Sequence, residues 1–125
     1  MIFDVRAVRD GDWEVVSVVG EVDLATVPRF RAVLLDAAAL AGRAGRGLAV
    51  DLSACDLIDS VGLGALLGGF RRARSASVPF GVVVAEERVR ATFERCRLDE
   101  VLDLVPDRAG LGALVGHHAG TTDGV

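Results

Sequence analysis

From residue 3 onward apolar and polar side chains alternate. Phe3, Val5 and Ala7 fall on one side and Asp4, Arg6 and Val8 on the other, a period of two that predicts a strand over 3–9. Asp10-Gly11-Asp12 reads as a turn, and the β-branched run from Trp13 to Val19 as a second strand, so the two should pair as an antiparallel hairpin. Gly20-Glu21-Val22-Asp23 ends that strand, and the period changes. Val27, Phe30, Leu34, Ala37 and Ala41 recur at helical spacing, with Thr26 as the expected cap, Pro28 in the first turn and Gly42 as terminator.

Leu48 to Leu52 is a short apolar run suited to a buried strand. A second helix is predicted from about Ser60 to Arg74, with Leu63, Leu66, Leu67 and Phe70 as its core stripe. A strand over 80–84, a helix over 86–95 and a short strand over 101–104 follow, and Asp107 is placed to cap a last helix ending near Val115. Residues 116–125 carry no apolar pattern and are expected to form a flexible tail, leaving 1–115 as one domain. The order β-β-α-β-α-β-α-β-α predicts an α/β fold: a mixed, mostly parallel sheet, an N-terminal β-hairpin at its edge and about four helices.

Composition narrows what such a domain can do. The 125 residues suit one ordinary domain, and 51% hydrophobic content suits a folded chain. Five Phe, one Trp and no Tyr make the core aliphatic and leave little surface for base stacking. The net charge of −4 supplies no phosphate-backbone footprint, so no direct nucleic-acid binding is expected. All the basic residues are Arg, and Lys, Asn and Gln are absent, which we read as codon bias in a GC-rich genome. No basic leader precedes an apolar segment and no apolar run approaches the length of a membrane span, so a cytoplasmic protein is expected. Cys55 and Cys96 form no C-x-x-C pair and are expected to be reduced, partly buried thiols.

The stretch from Leu52 to Gly64 is the most informative. It leads from the carboxyl end of a buried strand into a helix, the place where open α/β sheets meet ligands and partners. Ser60 stands at the expected N-cap, and on its own the capping role is the better reading of its hydroxyl. Two features pull the other way. The helix carries Gly62, Gly64, Gly68 and Gly69, and each interior glycine costs up to about 1 kcal/mol against alanine. Close approach of another backbone, from the adjacent sheet or from a partner, accounts for small side chains there. Asp56 and Asp59 lie in the same stretch, and Asp23 is expected at the same end of the sheet, so phosphate on Ser60 would add like charge to an acidic rim.

Other chemistries lack their parts. A nucleophilic Ser60 needs an activating base, and the only histidines, His117 and His118, fall in the expected tail; the G-x-S-x-G elbow is absent. Those two histidines are read as incidental, with no metal site expected. No phosphate-binding glycine loop is present, so no cofactor is expected. A phosphorelay receiver needs a buried Lys, and there is none.

Asp59-Ser60-Val61-Gly62-Leu63-Gly64-Ala65-Leu66-Leu67 resembles the signature of STAS domains, in particular of bacterial anti-sigma factor antagonists. Gly20-Glu21-Val22-Asp23 with the Pro28-containing helix, and Arg88-Val89 to Phe93 followed by Leu98-Asp99-Glu100-Val101-Leu102, resemble further segments of that family, in order over residues 3–115. The resemblance implies a non-enzymatic partner switch. The unphosphorylated form would bind an anti-sigma factor that is also a serine kinase of the histidine-kinase-like ATPase fold, freeing a sigma factor. Phosphorylation at Ser60 would end binding, and a PP2C-type phosphatase would restore it. Asp23, Asp56, Asp59, Val61, Gly62 and Gly64 are the expected partner-binding residues, and the protein itself is expected to be a monomer or weak dimer. Many relatives have a second hydroxyl residue after the phosphoserine; here it is Val61, which leaves Ser60 as the only acceptor in the motif. A STAS scaffold or subunit of a signalling complex or transport system, acting on no sigma factor, is the alternative.

Overall fold

The computed structural model describes residues 2–114. Five strands form one sheet in the order β1-β2-β3-β4-β5: β1 Asp4–Asp10, β2 Trp13–Val22, β3 Gly47–Ile58, β4 Phe80–Val83 and β5 Leu104–Val105. β1 pairs antiparallel with β2 through the Gly11 turn, and every later pair is parallel. The helices α1 Val27–Ala44, α2 Ser60–Ser75 and α3 Glu87–Arg95 form the crossovers. Because each right-handed crossover steps to the next strand in the same direction, all three land on one face of the sheet.

That face holds the main core, in which Phe30, Leu34, Leu48, Leu52, Leu66 and Phe93 are fully buried. Burial of each such side chain contributes about 1.5–3 kcal/mol. The other face is a smaller cluster of Trp13, Val15, Ala49, Val83 and Val105, covered by Leu111 and Leu114 of the C-terminal helical segment. Asp107 caps that segment by accepting from Gly110 N at 3.1 Å, as the sequence predicts. Val115, the expected tail at 116–125 and His117 and His118 lie outside the described residues. No helix among the described residues is long and apolar enough to cross a membrane.

Three expectations are corrected. α1 ends at Gly45, which adopts φ 68°, while Gly42 is an exposed position inside the helix. β5 is Leu104–Val105 and not 101–104, because Leu98–Glu100 form a 3-10 turn, Val101 is exposed and only Leu104 and Val105 reach β4. The largest difference is β3, which continues six residues beyond Leu52 to Ile58. Register shifts between Ser17 and Val19 and between Gly20 and Glu21 keep it paired with β2 up to Val22–Ile58. Such bulges break the period-two pattern: only Cys55 and Ile58 of residues 53–58 are buried, so the segment reads as a loop in sequence.

Candidate functional site

β2 and β3 end side by side, and Asp59 N donates to Val22 O at 3.2 Å. The loop after β2 and the start of α2 therefore share one end of the sheet. Here the expected cap moves by one residue. Asp59 is extended (φ −95°, ψ −175°); its Oδ1 accepts from Gly62 N at 2.9 Å and its carbonyl from Leu63 N at 2.9 Å. Ser60 is the first helical residue, not the cap. It is exposed, and among the described residues no hydrogen bond engages its hydroxyl. The stability role that competed for Ser60 belongs to Asp59.

The loop after β2 is tied down by similar bonds. Asp23 Oδ1 accepts from Ala25 N at 2.9 Å and Thr26 N at 3.1 Å, and its carbonyl accepts from Val27 N at 2.8 Å. Thr26 Oγ1 accepts from Asp23 N at 3.0 Å and donates to Glu21 O at 2.8 Å. Thr26 holds the N-cap position of α1, yet its side chain makes no cap bond to the helix; it locks the loop. Asp23 is thus half-buried and structural as well as acidic, and it sets Leu24 outward at 75% exposure.

The glycines of α2 divide into two pairs. A Cβ on Gly62 would lie 2.7 Å from both Ile58 Cγ1 and Val22 Cγ1, and one on Gly69 would lie 2.5 Å from Leu34 Cδ2. Those two serve helix–sheet and helix–helix packing. Gly62, expected at the partner surface, is buried. Gly64 and Gly68 have nothing within 4 Å of a Cβ, and they follow Ser60 at four-residue steps on one stripe of the helix. Val61 and Gly64 are exposed.

Asp56 is not in a loop beside Ser60. It is an exposed strand residue lining a groove of about 260 Å³ between β3 and α3, together with Leu57, Arg88, Thr92 and Arg95. Cys55 lies beneath, its Sγ donating to Leu57 O at 3.3 Å, and burial pushes its thiol up to about 11. Cys96, expected to be partly buried, is exposed. Among the described residues no group of His, Cys, Asp and Glu is placed to hold a metal ion.

Residues 5–106 match the family described as "Mlab, STAS domain". The chain belongs to the STAS domain family. Among solved structures, this STAS domain is similar to an anti-sigma factor antagonist from Mycobacterium paratuberculosis, at 27% identity and TM-score 0.79, over 90% of this chain and 94% of that one. It is also similar to a variant of RsbS from Moorella thermoacetica, at 27% identity and TM-score 0.70, over 90% and 95% of the two chains. The phosphorylated form of Bacillus SpoIIAA shares the fold at 17% identity and TM-score 0.61, over 90% and 99%. No curated protein sequence matches the chain.

Two features of this STAS domain escape sequence reasoning. Nothing in the pattern marks Leu24 as exposed. On the far face of the sheet, buried Asp51 accepts from Ser53 Oγ at 2.6 Å and from Arg108 Nε at 2.7 Å, while Arg108 also reaches Asp10 at 3.1 Å. Burial pushes the Asp51 carboxyl up, but the Ser53 and Arg108 hydrogen bonds outweigh it and hold it below the usual carboxylate range. Arg108 is 57 residues from Asp51 and 98 from Asp10 in the chain, and no local motif announces either pairing.

Proposed function

We propose that this STAS domain is an anti-sigma factor antagonist whose unphosphorylated form binds an anti-sigma factor that is also a serine kinase. Phosphorylation of Ser60 switches that binding off, and a PP2C-type phosphatase resets it. The chain is a kinase substrate and binding partner in this scheme, not an enzyme. The single observation that carries the reading is the exposed, unengaged hydroxyl of Ser60 one residue past a cap made by Asp59. A kinase meets a serine whose modification costs the fold no hydrogen bond. The names of the structural relatives point the same way.

Phosphate would bring about −1.5 to −2 charges to Ser60. The first amides of α2, those of Ser60 and Val61, have no intrahelical acceptor and favour an anion at that place. The domain then stays folded while a docked partner meets a solvated dianion beside Asp23 and Asp59, and it dissociates. Val61 and Gly64 belong to the same contact surface, and Asp56 borders it on the α3 side.

The test is to incubate the protein with each purified serine kinase of the histidine-kinase-like ATPase fold from its genome, with ATP, and map the phosphate. Modification at Ser60, constitutive binding by Ser60→Ala and weakened binding by Ser60→Asp are the expected results. Phosphate mainly on another residue overturns the site. A second reading, a STAS subunit of an assembly that acts on no sigma factor, is favoured by the family description, which carries the name Mlab. Stable capture of a permease or a lipid carrier in place of a kinase decides for it.

A further inference from the structure

We infer that Leu24 is the apolar anchor by which the serine kinase docks beside Ser60, an inference that rests on the reading above. Leu24 exposes 75% of its surface, a large apolar side chain held in water. Exposure of a leucine is ordinary by itself. What sets this one apart is its mounting. The loop that carries it is fixed on both sides by the Asp23 and Thr26 hydrogen bonds, so the side chain projects from a backbone already ordered before binding. Docking then loses little conformational freedom, and the apolar gain goes into affinity.

Position makes a kinase the occupant. Val22, two residues before Leu24, pairs with Ile58, two residues before Ser60. Neighbouring strands run about 4.8 Å apart. A partner covering roughly 800 Å² of this domain spans a patch about 16 Å in radius. A kinase footprint of that size centred on the Ser60 hydroxyl therefore covers the Leu24 loop. Leu57 and Val61, 39% and 37% exposed, are further apolar side chains at this end of the sheet, while Asp23 and Asp59 supply the charge. The kinase surface that fits is an apolar depression rimmed by basic residues.

The test uses the kinase that phosphorylates the wild type and measures Leu24→Ala and Leu24→Met beside it. Loss of a buried leucine side chain corresponds to a rise of about tenfold or more in Kd without ATP. For Leu24→Ala we expect that rise, a matching rise in KM for Ser60 phosphorylation, unchanged kcat and an unchanged melting temperature. Leu24→Met, which retains apolar volume, should restore most of the affinity. A Kd for Leu24→Ala within twofold of the wild type overturns the inference while leaving the switch intact. Failure of every such kinase to bind and phosphorylate wild-type Ser60 overturns the switch itself, and the anchor with it.

Discussion

Asp59 caps α2 by accepting from Gly62 N at 2.9 Å, which leaves the adjacent Ser60 without a structural duty. Removing a side-chain cap costs about 1 kcal/mol. Asp59→Ala should therefore lower the melting temperature by a few degrees, and Ser60→Ala should leave it unchanged. Thermal unfolding of the two variants beside the wild type checks this; a loss in Ser60→Ala equal to that in Asp59→Ala would return the cap to the serine.

Asp23 is expected to behave as a loop lock. Asp23→Ala removes the acceptor for Ala25 N and Thr26 N and should destabilise the domain by about 1 kcal/mol. Asp23→Asn keeps an acceptor oxygen and should keep most of the stability while removing the charge. Urea unfolding separates the two roles: binding lost in Asp23→Asn without loss of stability assigns the carboxylate charge to the partner.

Within α2 the glycines should split by sign. Gly62→Ala forces a methyl against Val22 and Ile58 and should cost about 1–3 kcal/mol. Gly64→Ala enters open space and should stabilise the helix by up to about 1 kcal/mol. If Gly64 lies under the docked kinase, the same change weakens binding. Stability and affinity then move in opposite directions, which calorimetry of both processes will register.

Asp51 makes stability depend on acid pH. Its folded pKa lies below the unfolded value of about 3.9, so its contribution is complete above that value and is lost as pH falls through the folded pKa. Asp51→Asn should flatten the fall in unfolding free energy between about pH 5 and pH 3, measured by urea denaturation at each pH. An unchanged slope would show that Arg108 gives the carboxylate no net advantage.

The two thiols should differ sharply toward a thiol reagent. Cys55 is buried and its pKa is pushed up to about 11, so at pH 8 about one molecule in a thousand carries the thiolate. Cys96 is exposed. One thiol should react at once in the native protein and the second only on unfolding. Fast reaction of both would mean that the end of β3 opens readily.

Element order, the N-terminal hairpin, the parallel sheet and the motif containing Ser60 were all legible in the chain of residues. They follow from local rules: a period of two or of 3.6, turn glycines, and crossovers of one hand. Gly62 and Gly69 were legible as close-packed positions only as a class, because what each touches is set by Val22, Ile58 and Leu34 from other elements. Which residue caps α2 was settled by packing in three dimensions. Asp and Ser are both good caps, and the choice fell to Asp59 because β3 runs on to Ile58, leaving Asp59 extended and bonded to Val22. That extension depends on bulged pairing with β2, a non-local contact that no window of β3 encodes. The same pairing brings the Leu24 loop and Ser60, the proposed anchor and the proposed phosphoacceptor, to one end of the sheet.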